Sequence, residues 1–335
     1  MFEFSLSIFS CLIIYFINKY RKKISKKTKL IYNPDKIRKL HKKSTPLLGG
    51  TMIFSSFLLI NLYLIFFQNF NLSVFIIFVI CFCCFLLGLI DDIKKISYKY
   101  KFFILSVIFF IFISLEPNLQ VNKIYFTTLN KEFYLNHISI PFTILCLLLL
   151  TNAINLIDGM DGLCILISII ILAWLQLIFQ DTDYLNIVLI ISLFYVLYLN
   201  LKKNIFLGDS GTLFLGSFIG LNIILKYNFE ISNIHYSVEN IFIALMLPGI
   251  DMLRVFFSRV FIMKQNPFLS DRIHLHHLLI AYGFNKFTIL TIFLILILLP
   301  ILLDFFTSFK SIYIILLFVL FYFLIILKLK KLSPR

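Results

Sequence analysis

The chain has 335 residues, of which 61% are hydrophobic and 14% are charged, and its formal net charge at pH 7 is +15. Soluble domains carry about 25% charged residues, so this composition excludes an ordinary soluble protein and indicates a polytopic membrane protein. The net charge alone could indicate a nucleic-acid partner. However, the lysines and arginines lie in loops between apolar segments, where membrane topology explains them, and we expect no nucleic-acid binding.

Eleven segments are apolar and close to the roughly 20 residues that a helix needs to cross a bilayer. They cover approximately residues 3–19, 48–68, 73–90, 102–116, 138–157, 163–180, 184–200, 210–226, 240–262, 287–304 and 311–328. Because they take up most of the chain, we predict one all-α, membrane-embedded domain over residues 1–335. The first segment precedes a basic run and lacks a small-residue cleavage site, which favours a retained helix over a cleaved signal peptide.

The basic residues predict the orientation of these spans. With the N-terminus outside and eleven alternating spans, 27 lysines and arginines face the cytoplasm and 4 face outside. The positive-inside rule selects this orientation, which puts the C-terminus in the cytoplasm. The lipid bilayer, including its anionic lipids, is then the expected partner of the basic loops. In the outer segment 118–137, β-favouring residues predict a small extracytoplasmic hairpin.

Aspartates are concentrated on the predicted cytoplasmic side, whereas all five glutamates fall outside or at the outer edge. Acidic residues contribute little to topology, so this distribution indicates a chemical use for short carboxylates. The aspartates on that side are Asp35, Asp91, Asp92, Asp158, Asp161, Asp209, Asp251 and Asp271. Six of them belong to four of five polar segments, which lie at the ends of predicted spans or in the loop after the ninth span.

The first polar segment, residues 41–50, reads HKKSTPLLGG, and the second, residues 91–95, reads DDIKK. In the first, lysines precede a glycine-rich helix start whose backbone N–H groups could bind an anion. A basic run before an ordinary helix is the simpler alternative. In the second, the carboxylates of Asp91 and Asp92 repel each other unless a cation relieves them. A solvated helix end neutralised by the following lysines is the alternative.

The third polar segment, residues 152–163, reads NAINLIDGMDGL. An aspartate at the centre of a membrane helix costs about 2.5–3.5 kcal/mol on insertion scales. If the helix continued through this segment, Asp158 and Asp161 would share one face, where they would suit a hard cation or a phosphate-bearing ligand. A helix C-cap and turn explain the glycines, but neither the two aspartates nor Asn152 and Asn155.

The fourth polar segment, residues 207–212, reads LGDSGT, and the fifth, residues 271–277, reads DRIHLHH. Asp209 in the fourth is a candidate functional carboxylate, and helix capping is its alternative. Three histidines in the fifth could indicate zinc. Because no cysteine lies near them, neutral imidazoles that contact phosphate or a base are the favoured interpretation. All five segments fall on the cytoplasmic side of the topology that the lysines and arginines predict.

With these five segments in this order, the chain resembles the polyprenyl-phosphate N-acetylhexosamine-1-phosphate transferases over about residues 36–282. The superfamily includes the undecaprenyl-phosphate GlcNAc-1-phosphate transferases and the phospho-N-acetylmuramoyl-pentapeptide transferase of peptidoglycan synthesis. The sequences RKLH at 38–41 and PFLSDRIHLHH at 267–277, together with eleven spans, are most similar to the GlcNAc-1-phosphate branch.

The resemblance implies that sugar-1-phosphate is transferred from a UDP-N-acetylhexosamine to undecaprenyl phosphate, with release of UMP, at the cytoplasmic face of the bacterial inner membrane. It implies Mg²⁺, with Mn²⁺ as an alternative, and it is compatible with a homodimer. The resemblance implies that Asp209 is the metal ligand and that Asp91 and Asp92 act at the lipid phosphate. It implies that the nucleotide and sugar are positioned by Asp158, Asp161 and Asn155. Phosphate charge would be neutralised by His41 and Lys95, and the diphosphate or uridine would be held by His274, His276 and His277.

Two alternatives to this activity differ in where they place their charges. The CDP-alcohol phosphotransferases gather their aspartates in one short stretch, whereas here they are spread over five loops. A transporter usually carries ionisable residues near the bilayer midplane, whereas here they lie at the ends of spans. Within the favoured activity, direct attack by the lipid phosphate and a covalent aspartyl-phosphate route are both open.

Overall fold

The computed structural model describes residues 2–32, 44–67, 71–179, 184–230, 237–266 and 273–332. This part of the chain contains thirteen α-helices and two antiparallel two-stranded ribbons. The helices are α1 Phe2–Lys19, α2 Arg21–Thr28, α3 Gly49–Phe67, α4 Leu72–Lys94, α5 Tyr98–Leu115, α6 Ser139–Ile157, α7 Leu163–Ile178, α8 Tyr184–Leu201, α9 Gly208–Glu230, α10 Val238–Phe257, α11 Leu275–Ala281, α12 Lys286–Phe306 and α13 Ser311–Leu332. The strands are β1 Ile31–Tyr32, β2 Thr45–Pro46, β3 Lys123–Phe126 and β4 Lys131–Tyr134.

Among the described residues, nine helices are long and apolar enough to cross a membrane. Two shorter apolar helices, Ser5–Lys19 and Leu163–Ile178, coincide with the first and sixth predicted spans. The predicted class, an all-α polytopic membrane protein, is therefore confirmed. The number of crossings, their orientation and the single domain over 1–335 stay predictions.

Helix α9 lies at the centre of the bundle, where 89% of its apolar window is buried. Small residues allow its neighbours to approach closely, as is typical of membrane helices. A Cβ atom added to Gly88 of α4 would lie 2.4 Å from the carbonyl oxygen of Asp209, and one added to Gly216 would lie 2.7 Å from the Cα of Thr151 in α6. The start of α9 is consequently held against the end of α4.

The ribbon β3–β4 lies at the position of the predicted hairpin, with Lys123 opposite Tyr134. It is attached to the helices through polar contacts. The backbone N–H groups of Thr127 and Thr128 donate to the carboxylate of Glu239 at 2.8 and 3.0 Å, and that of Tyr125 donates to the Tyr227 hydroxyl. Its location on the extracytoplasmic side is part of the predicted topology.

The polar segments lie together at one end of the bundle. The ends of α4, α6 and α8 and the starts of α3, α5, α7 and α9 meet there. The ribbon β1–β2, in which Ile31 pairs with Pro46 and Tyr32 with Thr45, lies beside them. An antiparallel bundle therefore brings distant polar segments to one face, as the sequence predicts.

Candidate functional site

A cleft of about 310 Å³ opens at this end of the bundle. Residues from the ribbon, α4, the α6–α7 turn and the α8–α9 loop line it: Tyr32, Leu47, Asp91, Asp92, Lys95, Asp158, Gly159, Met160, Asp161, Asn200, Phe206, Leu207, Gly208 and Asp209. Five of these are aspartates, and all five were predicted as site residues. The structure thus brings the second, third and fourth polar segments to one cavity.

Lys101, in the first turn of α5, joins two of these carboxylates. Its ammonium lies 2.6 Å from Oδ2 of Asp209 and also contacts Oδ2 of Asp91. The other oxygen of Asp91 accepts the backbone N–H of Ile96 at 2.5 Å. Asp91 is therefore fixed on both sides, whereas the side chain of Asp209 is 35% exposed to the cleft.

Asp92 caps helix α9 from the neighbouring helix α4. Its two carboxylate oxygens accept the backbone N–H groups of Asp209 and Ser210, at 2.8 and 3.1 Å. A carboxylate at a helix N-terminus satisfies unpaired N–H groups and is favoured by the helix dipole. From the sequence, capping of this helix was the alternative role for Asp209. The structure instead has Asp92 as the capping residue, and this contact orients Asp209.

At the glycines of the first polar segment, the structure has an ordinary helix start, which was the simpler of its two interpretations. The backbone N–H groups of Gly49 and Gly50 donate to the carbonyl oxygens of Phe206 and Leu207, each at 2.9 Å. A Cβ added to Gly50 would lie 2.4 Å from the backbone nitrogen of Gly211. These N–H groups are satisfied by protein, which agrees with the simpler alternative of an ordinary helix start. His41 lies outside the described residues.

The third polar segment forms a turn rather than a continued helix. Helix α6 ends at Ile157, so the condition for a shared helical face of Asp158 and Asp161 is not met, and the segment has the C-cap and turn that was the alternative. Gly162 has φ +85°, which a glycine adopts readily, and its N–H donates to Oδ1 of Asn200 at 2.6 Å. The turn still points both aspartates into the cleft, and Lys286 lies 3.6 Å from Asp161.

Two further predicted residues flank the cleft. Lys95 lines it and ends α4, with φ +50° and its N–H donating to the carbonyl of Asp91. Asn155 accepts the hydroxyl of Thr212 at 2.6 Å. It therefore connects α6 to α9 and lies behind the wall of the cleft.

His274 belongs to a buried polar network that sequence reasoning did not predict. Its Nδ1 lies 2.8 Å from Asp251, whose carboxylate also accepts the Tyr322 hydroxyl at 2.6 Å and Nη2 of Arg254 at 2.8 Å. Because a carboxylate only accepts, Nδ1 of His274 carries the hydrogen. This arrangement leaves Nε2 of His274 buried without a protein partner.

His276 lies against the third polar segment. A Cβ added to Gly159 would lie 2.2 Å from Nε2 of His276. The imidazole is fully buried, and neither ring nitrogen has a hydrogen-bond partner. Burial, followed by the neighbouring His277, lowers the pKa of His276 to about 3, so the ring is neutral. It therefore has unused donor and acceptor capacity beside the turn.

Comparison with known proteins gives a family match over the second, third and fourth polar segments. The model of the glycosyl transferase family 4 matches residues 73–226. A Bacillus subtilis protein described as a probable undecaprenyl-phosphate N-acetylglucosaminyl 1-phosphate transferase is 30% identical over 296 residues, covering 85% of this chain and 79% of the relative. The chain belongs to glycosyl transferase family 4.

Other relatives of this family 4 chain carry two different names. A phospho-N-acetylmuramoyl-pentapeptide-transferase from Buchnera aphidicola is 30% identical over 268 residues, covering 66% of this chain and 73% of the relative. An undecaprenyl-phosphate alpha-N-acetylglucosaminyl 1-phosphate transferase from Thermotoga maritima is 26% identical over 274 residues, covering 81% of this chain and 80% of the relative. The resemblance that the polar segments predict is confirmed at the level of the family.

The carboxylates of this family 4 chain suit a hard divalent cation. Five aspartates line the cleft, and Lys95 is the one basic residue among its described lining. Burial, followed by the charges of Asp209, Asp92 and Asp161, raises the pKa of Asp158 well above its usual range. Within the described ranges, no three carboxylates, imidazoles or thiols form a complete cage. Mg²⁺ requires only one or two carboxylates when phosphate oxygens complete its shell, so the donor set fits.

Lys101 and the network around Asp251 are the functional candidates that sequence reasoning missed in this family 4 chain. Lys101 is one of four lysines in residues 94–101, and its sequence position does not distinguish it. Asp251 was one of the aspartates on the predicted cytoplasmic side, which is the signal that could have found it. Tyr322 lies in the last helix, 71 residues away, and no local pattern connects the two.

Proposed function

We propose that this membrane protein transfers N-acetylglucosamine-1-phosphate from a UDP-sugar to undecaprenyl phosphate, releases UMP and starts a lipid-linked surface glycan. One observation carries the proposal: aspartates from α4, the α6–α7 turn and α9 line a single cleft at the ends of apolar helices. An enzyme that joins a membrane-bound phosphate to a soluble nucleotide needs its charged groups at this boundary. The names of the relatives from Bacillus subtilis and Thermotoga maritima support the same chemistry.

The proposed reaction is a single phosphoryl transfer. An oxygen of the lipid phosphate forms a bond to the sugar-bearing β-phosphorus, and the bond from that phosphorus to the bridging oxygen breaks. The bridging oxygen and its electron pair leave with UMP. A phosphate monoester has its second pKa near 6, so the nucleophile is largely a dianion at neutral pH and requires orientation more than a strong base.

Electrostatics explains why a cation belongs in this site. Both substrates are anions, and the cleft that receives them is lined by five carboxylates. Asp209, with its partly exposed carboxylate, is the proposed Mg²⁺ ligand; when bound, Mg²⁺ would neutralise phosphate oxygens in the transition state. Lys101 holds Asp91 and Asp209 together and supplies a second positive charge. Asp92 acts indirectly by capping α9.

Direct attack is favoured over a covalent aspartyl-phosphate. Both oxygens of Asp91 have partners, in Lys101 and the Ile96 N–H, and both oxygens of Asp92 cap α9. A carboxylate engaged in this way is a poor nucleophile. Asp91 therefore orients Lys101 and the attacking phosphate in the proposed mechanism.

The nucleotide-sugar is proposed to bind on the side of the α6–α7 turn. Asp158 and Asp161 face this part of the cleft, and the neutral ring of His276 lies beside Gly159. His274, with its Nδ1 hydrogen held by Asp251, presents Nε2 as a further contact. The neutral imidazole of His276 suits hydrogen bonds to the diphosphate or the uracil. His277, whose ring lies 4.0 Å from that of His276, and Lys95, which lines the cleft, are the further proposed contacts.

The alternative is transfer of phospho-N-acetylmuramoyl-pentapeptide, because the Buchnera relative carries that name. In either case the proposed location is the bacterial inner membrane, with the cleft on the cytoplasmic side where nucleotide sugars are made. The predicted excess of lysines and arginines in the loops of this side supports that orientation.

The experiment that tests this proposal uses the purified full chain with undecaprenyl phosphate, Mg²⁺ and a panel of UDP-GlcNAc, UDP-GalNAc and UDP-N-acetylmuramoyl-pentapeptide. We expect release of UMP with UDP-GlcNAc, and at least about a 100-fold loss of rate in Asp209→Asn. The matched control is Asp304→Asn, because Asp304 bonds Asn240 and Ser311 away from the cleft. Turnover of the pentapeptide substrate alone would replace the proposal by its alternative, and no turnover of any sugar would refute both.

A further inference from the structure

A second cavity, which we call the basic cavity, lies at the same end of the bundle and has a volume of about 280 Å³. Its lining comes from α2, the ribbon β1–β2 and the α8–α9 loop: Arg21, Lys22, Ser25, Lys26, Ile31, Ser44, Pro46, Lys203 and Asn204. Four of these nine residues are basic, and no carboxylate occurs in this described lining. The charge of the cavity is therefore opposite to that of the catalytic cleft.

Arg21 is held in place at the cavity. Its Nη1 donates to the carbonyl and to Oδ1 of Asn18 at 3.1 and 3.0 Å, and its Nη2 donates to Oδ1 of Asn204 at 3.5 Å. These contacts use three of the five N–H groups of a guanidinium. The remaining groups provide a fixed donor to which a phosphate can bind without loss of side-chain freedom.

Helix α2 carries a charge arrangement that an anion would stabilise. Lys22 and Lys26 are four residues apart on one face, where like charges destabilise a helix. Arg21 and Lys22 also lie in the first turn, where the helix dipole disfavours cations, and that turn contains no acidic residue. The helix nevertheless directs these three side chains to one cavity, which is the arrangement expected of an anion site.

The basic cavity and the catalytic cleft share a thin wall. In the ribbon β1–β2, Ile31 and Pro46 line the basic cavity, whereas Tyr32 and the adjacent Leu47 line the cleft. This alternation follows from the two faces of a strand. The N–H of Phe206 donates to the carbonyl of Pro46 at 2.8 Å and attaches the ribbon to the α8–α9 loop. A ligand in one cavity therefore contacts the wall of the other.

We propose that the basic cavity binds the phosphate headgroup of an anionic phospholipid, and that the bound headgroup stabilises the ribbon wall of the catalytic cleft. The source is lipid because the cavity adjoins the end of the apolar helix α1, next to Lys19 and the exposed Tyr20. Basic pockets between membrane helices at this boundary bind anionic headgroups. The proposed sugar-phosphate transfer does not require this site, so either idea can fail without the other.

The test measures lipid binding by native mass spectrometry of the full chain in neutral detergent, titrated with phosphatidylglycerol or phosphatidylcholine. We expect phosphatidylglycerol to bind tightly and phosphatidylcholine to bind weakly. Each lysine removed from the cavity should weaken the affinity for phosphatidylglycerol about fivefold. The double variant Lys22→Gln with Lys26→Gln should therefore weaken this affinity about 25-fold. The matched control is Lys23→Gln with Lys27→Gln, which removes the same charge from the same helix outside the cavity lining.

The control should change affinity less than about threefold, because exposed charges outside the cavity are screened over about 8 Å. Equal losses in the two double variants would show only general attraction to anionic lipid and would overturn the site. Inorganic phosphate is the second arm: displacement of phosphatidylglycerol by phosphate at low millimolar concentration would overturn the lipid as the ligand.

The coupling to the cleft is measured by hydrogen exchange in peptides that cover residues 30–32 and 44–48. We expect phosphatidylglycerol to slow hydrogen exchange in these peptides of the parent chain and of the Lys23/Lys27 control. At the same lipid concentration, its effect on the exchange rate in the Lys22/Lys26 variant should be at least about tenfold smaller. Unchanged exchange on lipid binding to the parent chain would overturn the coupling. This readout requires no enzymatic activity.

Discussion

Lys101 is the positive charge that allows Asp91 and Asp209 to lie side by side, and its removal should make the protein depend on Mg²⁺ for stability. Two carboxylate oxygens that contact one ammonium, one of them at 2.6 Å, lie at most about 5 Å apart. At that separation and an effective dielectric constant near 20, their repulsion is about 3 kcal/mol. Because Asp209 is 35% exposed, solvent screening reduces the repulsion to about 1–2 kcal/mol.

The variant Lys101→Met keeps the length of the buried stem and removes the charge. For a chain of this size, about 1–2 kcal/mol lowers the melting temperature by about 1–3 °C. We expect this deficit in EDTA and expect saturating Mg²⁺ to abolish most of it, because a cation bound to the carboxylates replaces the ammonium. The assay is thermal unfolding of the purified protein in detergent, with and without Mg²⁺.

The matched control is Lys99→Met, since Lys99 lies in the same turn of α5 but is exposed. It should not change the effect of Mg²⁺ on the melting temperature. A Lys101→Met deficit of the same size in EDTA and in Mg²⁺ would refute the reasoning, because a simple loss of packing does not depend on the cation. No deficit under either condition would refute the electrostatic role altogether.

Three further predictions concern the residues that position the site. Asp92→Asn weakens the cap of α9 and should therefore lower the free energy of unfolding by about 1–2 kcal/mol. It should also lower kcat more than it raises KM, and an unchanged kcat would contradict the positioning role. Gly159→Ala should raise KM for the UDP-sugar and leave KM for the lipid phosphate unchanged, because its Cβ would lie 2.2 Å from Nε2 of His276; equal changes in both constants would contradict the assignment of this side to the nucleotide. Tyr322→Phe removes one donor to the buried carboxylate of Asp251 and should lower the free energy of unfolding by about 1–3 kcal/mol; an unchanged melting temperature would contradict the network.

The arrangement of the bundle could be predicted from the sequence because the lipid bilayer determines it. A bilayer requires long apolar helices with satisfied backbone groups, so the apolar segments lie within a few residues of the observed helices. Because successive spans run in opposite directions, the second, third and fourth polar segments were expected to lie at the same end of the bundle. Local helix geometry was left open by the sequence: a continued helix and a turn were both considered for the third polar segment, and the structure has the turn, since α6 ends at Ile157.

The roles within the cleft depend on contacts between residues distant in sequence. Asp92 and Asp209 are 117 residues apart, and their hydrogen bond exists only because Gly88 allows α4 and α9 to approach closely. The glycines of the first polar segment indicated an anion site by their local pattern, but in the folded chain their N–H groups donate to Phe206 and Leu207. A local motif identifies which residues meet at a site, whereas packing decides which of them remain available to a ligand.

The measurement that tests the central claim most directly follows the β-phosphorus of the donor. The purified chain is incubated with undecaprenyl phosphate, Mg²⁺ and UDP-GlcNAc labelled with ³²P at the β-phosphate. The account predicts that the label enters the lipid fraction in equal amount with the UMP released, and that Asp209→Asn abolishes both. Label that remains in the aqueous fraction as UDP would show transfer of the sugar without its phosphate and would contradict the account.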